Sequence, residues 1–122
     1  MDVALFGAGR IGKIHGANAV RQPGVKLKYV VDVDAAAAGA LAQQLGAQVA
    51  SADAVFADKS VGAVMIGSST DTHCDLITRS AQAGKAIFCE KPVDLNVERA
   101  RTCADAVRKA GVVCMIGFQR RY

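Results

Sequence analysis

The sequence predicts a doubly wound α/β domain, in which helices cover both faces of a parallel sheet. Apolar segments of strand length alternate with amphipathic segments of helix length along the whole chain. The segment 63–67 is apolar almost throughout, which is typical of a parallel strand buried on both faces. Gly46, Gly84 and Gly111 each follow a helical segment, where a left-handed cap favours glycine. Together these features predict one sheet with right-handed crossovers.

The elements follow one another in a regular order. Strands are predicted at residues 2–6, 26–31, 48–50, 63–67, 86–89 and 112–116. Helices are predicted at residues 10–21, 35–45, 72–83 and 97–110, with a short helical turn at 52–57. The run of alanines from residue 35 is a good helix start, and Asn96 can cap the last helix ahead of Glu98. Six strands are the full count of a Rossmann fold with strand order 3-2-1-4-5-6.

Length and composition are those of a single domain. The chain has 122 residues, 52% of them hydrophobic but only 5% aromatic, which suits close packing of helices on a sheet. No apolar run approaches the length of a membrane span, and Asp2 makes the start a poor signal peptide. We therefore expect residues 1–122 to form one soluble, cytoplasmic domain without a membrane partner.

Charge and cysteine spacing argue against other classes of protein. The net charge is +4, and the basic residues are scattered without an aromatic platform, so a nucleic-acid partner is not expected. The four cysteines form no C-x-x-C pair and no regular spacing. We therefore expect neither a disulfide framework nor a metal site.

A glycine-rich turn follows the first predicted strand. Residues 7–12 read Gly-Ala-Gly-Arg-Ile-Gly, a G-x-G-x-x-G motif that opens a helix. Gly7 allows the tight turn, Gly9 lets the backbone approach a pyrophosphate, and Gly12 lets helix and strand pack closely. The helix N-terminus offers free N–H groups to the anion, so Arg10 and Ile11 also belong to the predicted cofactor site.

Asp32 supports a dinucleotide site, so that residues 1–122 are expected to form one dinucleotide-binding domain. It lies twenty residues after Gly12, at the end of the second predicted strand, where a carboxylate can accept both hydroxyls of the adenosine ribose. No arginine follows in Val33, Asp34 and Ala35, so the sequence favours NAD over NADP, with Val33 beside the ribose. The alternative is that the glycines only make a turn and that Asp32 only caps the next helix.

Small and hydroxylated residues follow the fourth strand. Ser68, Ser69 and Thr70 are placed to line the nicotinamide side of a cleft, since ligands in such sheets bind beyond the carboxyl ends of the strands. The alternative is helix capping by Thr70 or Asp71. His73 is a further candidate for the cofactor cleft, although a lone histidine in a first helical turn is equally often structural. For His15, inside the first helix, packing is the favoured interpretation.

The fifth strand leads into Glu90, Lys91 and Pro92. Proline disfavours helical backbone at Lys91, so this lysine is predicted to project from the strand end into the cleft. An amine there can hydrogen-bond a substrate hydroxyl and stabilise developing negative charge. The alternative is an exposed ion pair of little consequence.

These motifs together resemble the Gfo/Idh/MocA family of oxidoreductases. The resemblance rests on the N-terminal glycine motif, on Glu90-Lys91-Pro92 and on the tail from Gly117 to Tyr122, and it is closest to inositol 2-dehydrogenases. It implies hydride transfer from a secondary alcohol of a cyclic polyol or sugar to NAD. It also implies that Lys91 is the catalytic lysine on the substrate hydroxyl, that Glu90 fixes the loop and the nicotinamide, and that Arg120 reaches cofactor or substrate.

The family also has a second α/β domain that this chain lacks. In the family that domain carries an aspartate and a histidine for proton transfer, most substrate contacts and the interface of a homo-oligomer, usually a tetramer. The resemblance therefore implies that the chain alone binds NAD but turns over substrate poorly. Two other functions stay open, namely a non-catalytic NAD-sensing module and an NADP-dependent sugar oxidoreductase of the same family.

Overall fold

A computed structural model describes residues 1–121 of the chain. The strands are β1 (Asp2–Phe6), β2 (Lys26–Val31), β3 (Gln48–Val49), β4 (Val61–Ile66), β5 (Ala86–Glu90) and β6 (Cys114–Gly117). The helices are α1 (Arg10–Ala19), α2 (Ala35–Leu45), α3 (Ala52–Ala57), α4 (Thr70–Gln82) and α5 (Val97–Ala110), followed by a 3₁₀ turn at Gln119–Arg121. The sheet is parallel with order β3-β2-β1-β4-β5-β6, which confirms the predicted Rossmann fold.

Element boundaries differ from the predicted ones where local pattern and pairing disagree. Strand β4 begins at Val61 because Val61 pairs with Asp2, although Gly62 interrupts the apolar pattern. Strand β6 begins at Cys114, which pairs with Ile87, so the apolar Val113 precedes the strand and is largely exposed. Helix α4 begins at Thr70 with Ser69 as its N-cap residue, two residues earlier than predicted.

Two apolar clusters lie on opposite faces of the sheet. Strand β1 contributes to both, because its alternate residues point to opposite faces. Val3 and Leu5 pack with α2 on one face, whereas Ala4 and Phe6 pack with α3 and α4 on the other. Helix α1 lies on the α2 side, where a Cβ added to Gly16 would come within 2.6 Å of the side chain of Leu45. The sheet is therefore covered on both faces, as in a doubly wound fold.

None of the helices in residues 1–121 combines the length and the apolar composition that crossing a bilayer would take.

An ion-pair cluster lies at the amino ends of β2 and β4. The Lys28 ammonium donates to Asp58 Oδ2 over 2.6 Å, the Tyr29 hydroxyl donates to the same oxygen over 3.0 Å, and the Ser60 N–H donates to Oδ1 over 2.9 Å. These donors, Lys28 foremost, hold the pKa of Asp58 well below its ordinary value. The buried Lys85 ammonium donates to the carbonyls of Asp58 and Val61, and burial lowers its pKa.

The low pKa of Asp58 predicts a loss of stability in acid. A carboxylate whose pKa is lowered by folding stabilises the fold above its ordinary pKa of 3.8, and that contribution is lost as the pH falls below it. We expect the urea midpoint of the wild-type chain to fall more steeply between about pH 5 and pH 3 than that of Asp58→Asn.

A matched control removes one carboxylate elsewhere. Asp105 is an exposed residue of α5 that pairs with Arg108 one turn along the same helix. Asp105→Asn is expected to keep the wild-type pH profile. Parallel profiles for the wild type and Asp58→Asn would contradict a stabilising role of the Asp58 carboxylate.

Candidate functional site

The turn after β1 is shaped by glycine. Gly7 has a φ of 103°, and a Cβ there would lie 2.6 Å from the Gly67 carbonyl oxygen, so the turns after β1 and β4 meet backbone to backbone. A Cβ on Gly12 would lie 1.8 Å from the Gly7 carbonyl oxygen, whereas one on Gly9 would meet nothing within 4 Å. The turn is therefore closed on its inner side and open at Gly9.

Helix α1 presents a free N-terminus at this turn. Gly9 is its N-cap residue, no side chain caps it, and its first turn carries no acidic residue. The first N–H groups of the helix are thus not claimed by a side chain, and the helix dipole is not offset by a carboxylate. Arg10 and Ile11 lie exposed in this first turn. Such an end is suited to an anionic phosphate group.

Asp32 is held beside the glycine turn. Its Oδ2 accepts the Ala8 N–H over 2.6 Å, and its Oδ1 accepts the Asp34 N–H over 2.9 Å. The side chain of the next residue, Val33, is fully exposed. The cap of α2 is Asp34, which accepts the N–H groups of Ala36 and Ala37. Since Asp34 caps α2, the alternative that Asp32 caps this helix is wrong, and each Asp32 oxygen has a second lone pair for a further donor.

Asp32 lines an open cleft of about 710 Å³. It is lined by residues that follow β1, β2, β3 and β4 at the carboxyl edge of the sheet, among them Gly7, Asp32, Val33, Ala50, Ser51, Ser68, Ser69 and Arg79. The guanidinium of Arg79 lies over the Phe56 ring, 4.5 Å from its centroid, and pairs with Asp53. The sequence did not predict these contacts of Arg79, because they join α4 to α3 residues that are 23 or more positions away in the chain.

Residues after β4 form a tight loop at the same edge. The hydroxyls of Ser68 and Thr72 lie 2.7 Å apart, and Thr72 also donates to the Ser69 carbonyl over 2.7 Å. Ser69 precedes α4 as its N-cap residue without a side-chain hydrogen bond, and Thr70 opens the helix. The alternative interpretation, helix capping by Thr70 or Asp71, is therefore wrong. Ser68 and Ser69 line the cleft.

The structure places His73 in the interior instead of on the cleft wall. Its side chain is only 1% exposed, with Nδ1 2.7 Å from the Pro92 carbonyl oxygen and Nε2 3.1 Å from the Ser68 carbonyl oxygen. His73 is therefore not among the residues that line the cleft, and both of its ring nitrogens face backbone oxygens. The sequence could not show this, since Pro92 lies 19 residues further along the chain.

Glu90 ends β5 and contacts α1. The Oε1 of Glu90 lies 2.7 Å from Nε2 of His15, and the His15 ring packs edge-on against Phe88 with 4.9 Å between centroids. A Cβ on Gly117 would lie 3.3 Å from the same Oε1, so glycine leaves room for this carboxylate. His15 therefore does more than fill space, and sequence spacing gave no sign of a partner 75 residues away.

Lys91 lies exposed directly after β5, and its peptide bond to Pro92 is cis. An open cavity of about 430 Å³ is lined by Lys91, Phe118, Gln119 and Arg120. The loop after β5 and the turn after β6 thus bring the predicted catalytic lysine and Arg120 to one cavity. Tyr122, the last residue of the family-like tail, lies outside the described residues.

The cysteines offer no reactive thiol. Cys74, Cys89 and Cys103 are buried, and burial raises the pKa of Cys89 and of Cys103 to about 12. Such thiols stay protonated at neutral pH. Within residues 1–121, no group of three or more metal-ligating side chains comes together.

The fold and the turn at Gly7 to Gly12 define a dinucleotide-binding domain. The family model for the oxidoreductase family Gfo/Idh/MocA, NAD-binding Rossmann fold, matches residues 1–118. The chain therefore belongs to the Gfo/Idh/MocA oxidoreductase family and is an NAD-binding domain.

Similar proteins include inositol dehydrogenases. The inositol 2-dehydrogenase of Rhizobium meliloti (strain 1021) is 48% identical over 118 residues, which cover 97% of this chain and 36% of that protein. The crystal structure of a myo-inositol dehydrogenase from Corynebacterium glutamicum is 41% identical with a TM-score of 0.91, covering all of this chain and 37% of that one. That of scyllo-inositol dehydrogenase from Lactobacillus casei with bound NAD(H) and scyllo-inositol is 27% identical with a TM-score of 0.90, covering 99% of this chain and 37% of that one. The chain thus spans about a third of the length of these relatives.

Proposed function

We propose that this chain is the NAD-binding part of a dehydrogenase that oxidises a secondary alcohol of a cyclic polyol, with myo-inositol as the preferred substrate. The observation that carries the proposal is the cavity shared by Lys91 and Arg120, at the same sheet edge as the glycine turn and Asp32. The inositol dehydrogenases among its relatives support the choice of substrate class.

The residues present fit NAD. The open side of Gly9 and the free end of α1 suit its pyrophosphate, with Arg10 and Ile11 in the same turn. Asp32 suits the adenosine ribose hydroxyls, with Val33 beside them, and the loop from Ser68 to Thr70 suits the nicotinamide ribose. When bound, NAD supplies the carbon that accepts the hydride.

The chemistry assigned to the chain is hydrogen bonding to the reacting alcohol. The Lys91 ammonium donates a hydrogen bond to the substrate hydroxyl and stabilises the negative charge that develops as its proton leaves. Glu90 orients the loop and the nicotinamide, while Arg120 binds a further substrate or cofactor oxygen. Lys91 is therefore the catalytic residue of the proposal.

A proton acceptor is needed as well. Among the described residues, those lining the Lys91 cavity include no carboxylate and no imidazole. We infer that the acceptor belongs to another part of the full enzyme and that this chain alone binds NAD with little turnover. Titration with NAD, together with an assay of NADH formation from myo-inositol, tests both parts; steady turnover by the purified chain would contradict the second.

Asp32 is expected to set the choice of cofactor. In Asp32→Ala, NAD loses a charged acceptor for two hydroxyls, so its dissociation constant is expected to rise by about tenfold or more. NADP is expected to bind relatively better, because the carboxylate no longer repels the 2′-phosphate. Calorimetric titrations with both nucleotides measure the ratio of the two affinities.

Asp34→Ala is the matched control for this change. It removes a neighbouring carboxylate that caps α2, so it is expected to lower the free energy of unfolding by about 1 kcal/mol without changing cofactor preference. An unchanged NAD-to-NADP ratio in Asp32→Ala would rule out Asp32 as the ribose partner.

A further inference from the structure

The buried ring of His73 connects two loops at the carboxyl edge of the sheet. His73 lies in the first turn of α4, and its two nitrogens face the carbonyl oxygens of Ser68, after β4, and of Pro92, after β5. Pro92 directly follows Lys91. On the proposed function, the loop after β4 belongs to the cofactor cleft and the loop after β5 carries the catalytic Lys91.

The polar ring is not explained by core packing alone. Burying an imidazole costs free energy unless its polar atoms find partners, and an apolar side chain would fill the same space without that cost. Both partners here are carbonyl oxygens, which only accept hydrogen bonds. A ring nitrogen that carries a hydrogen therefore donates to the loop that it faces. The contact at Nδ1 is the shorter, 2.7 Å against 3.1 Å at Nε2.

We infer that His73 is a positioning residue for Lys91, and this inference rests on the proposed function. The Nδ1–H group donates to the Pro92 carbonyl and fixes the backbone that follows Lys91 relative to the β4 loop. The neighbouring Cys74 strengthens the same attachment, since its Sγ lies 3.8 Å from the Val93 carbonyl oxygen. Arg99 adds a further tie, because it pairs with Asp94 over 3.0 Å and also reaches the Asp71 carbonyl.

Two amide variants separate the two ring nitrogens. In His73→Asn, the side-chain amide nitrogen stands close to the position of Nδ1 and can still donate to Pro92. In His73→Gln, the amide nitrogen stands close to the position of Nε2 and can still donate to Ser68. Both variants keep a buried polar side chain, so a purely structural role of the ring would affect them alike. Circular dichroism and urea unfolding establish that each is folded.

The first readout compares NAD with ADP-ribose, which lacks the nicotinamide. His73→Gln is expected to raise the dissociation constant of NAD by about fivefold and to leave that of ADP-ribose unchanged, because release of the Pro92 carbonyl loosens the backbone on the nicotinamide side, which loss of the Lys91 ammonium alone does not. His73→Asn is expected to bind both ligands like the wild type. A lower free energy of unfolding alone would not change the ratio of the NAD and ADP-ribose dissociation constants in either variant.

The second readout needs no ligand. Hydrogen exchange of the amides in residues 93–97 is expected to be about tenfold faster in folded His73→Gln than in wild type or His73→Asn, with residues 26–31 unchanged. The positioning role would be overturned if folded His73→Gln and His73→Asn had the same ratio of NAD to ADP-ribose dissociation constants and the same amide exchange rates in residues 93–97. A wild-type chain that binds neither ligand would instead overturn the proposed function, and the exchange comparison would still decide the role of His73.

Discussion

Gly12→Ala is expected to lower the free energy of unfolding by about 3 kcal/mol or more and to abolish NAD binding. The added methyl group would lie 1.8 Å from the Gly7 carbonyl oxygen, which is backbone and cannot turn away as a side chain could. Helix α1 must then move off β1, and the turn that faces the pyrophosphate opens. Urea denaturation measures the first effect and calorimetric titration with NAD the second.

Gly9→Ala is the matched control, with the same change three residues earlier. A Cβ at Gly9 meets no protein atom within 4 Å, and its φ of −73° is accessible to alanine. This variant is expected to unfold within about 1 kcal/mol of the wild type. Its NAD affinity is expected to fall by about tenfold or more, because the methyl group stands where the phosphates approach the backbone. If Gly9→Ala bound NAD with wild-type affinity, the pyrophosphate could not bind at Gly9.

Lys91→Met, made in a complete dehydrogenase that contains this domain, is expected to lower kcat by roughly 10² to 10⁴. The change removes the ammonium group and with it the proposed hydrogen bond to the alcohol. Methionine keeps a long flexible side chain, so the space that the lysine side chain fills stays occupied. The dissociation constant of NAD is expected to change by less than about threefold, since most of the proposed cofactor site lies at Gly9, Asp32 and Ser68. Stopped-flow measurement of NADH formation and equilibrium titration separate the two quantities.

Lys59→Met removes an ammonium group from the opposite edge of the sheet. Lys59 is exposed just before β4, at the amino ends of the strands. It is expected to leave both kcat and NAD affinity unchanged. Full activity in Lys91→Met would rule out the catalytic role and would favour a domain that binds NAD without using it.

The fold could be predicted from the sequence because each element carries a local signal. Glycine caps, apolar strands and the G-x-G-x-x-G turn act over a few residues, so strand order follows from known connection rules. Boundaries were less accurate where pairing overrides pattern. Val61 joins β4 despite Gly62, since its backbone pairs with Asp2, and Val113 stays outside β6 despite its apolar side chain.

The site was predictable only where its residues are close in sequence. The glycine turn and the Glu90-Lys91-Pro92 segment can be recognised in the sequence, because each is a short motif at a strand end. The two histidines show the limit of such reasoning. The partner of His15 is 75 residues away and that of His73 is 19 residues away, so neither pairing has a local signature. Only the packing of α1 and α4 on the sheet reveals what each ring contacts.

Helix α1 fixes the distance between two parts of the proposed site, the Gly7 turn and the end of β5 at Glu90. It rises about 1.5 Å per residue, so the five steps from Arg10 to His15 cover about 7.5 Å along its axis. Gly12, near the start of this stretch, packs against the Gly7 turn after β1, and His15 at its other end contacts Glu90 of β5. One inserted residue would rotate His15 by about 100° away from Glu90. Helix α1 therefore fixes the spacing between the Gly7 turn and the end of β5, whereas a loop could have absorbed such a change.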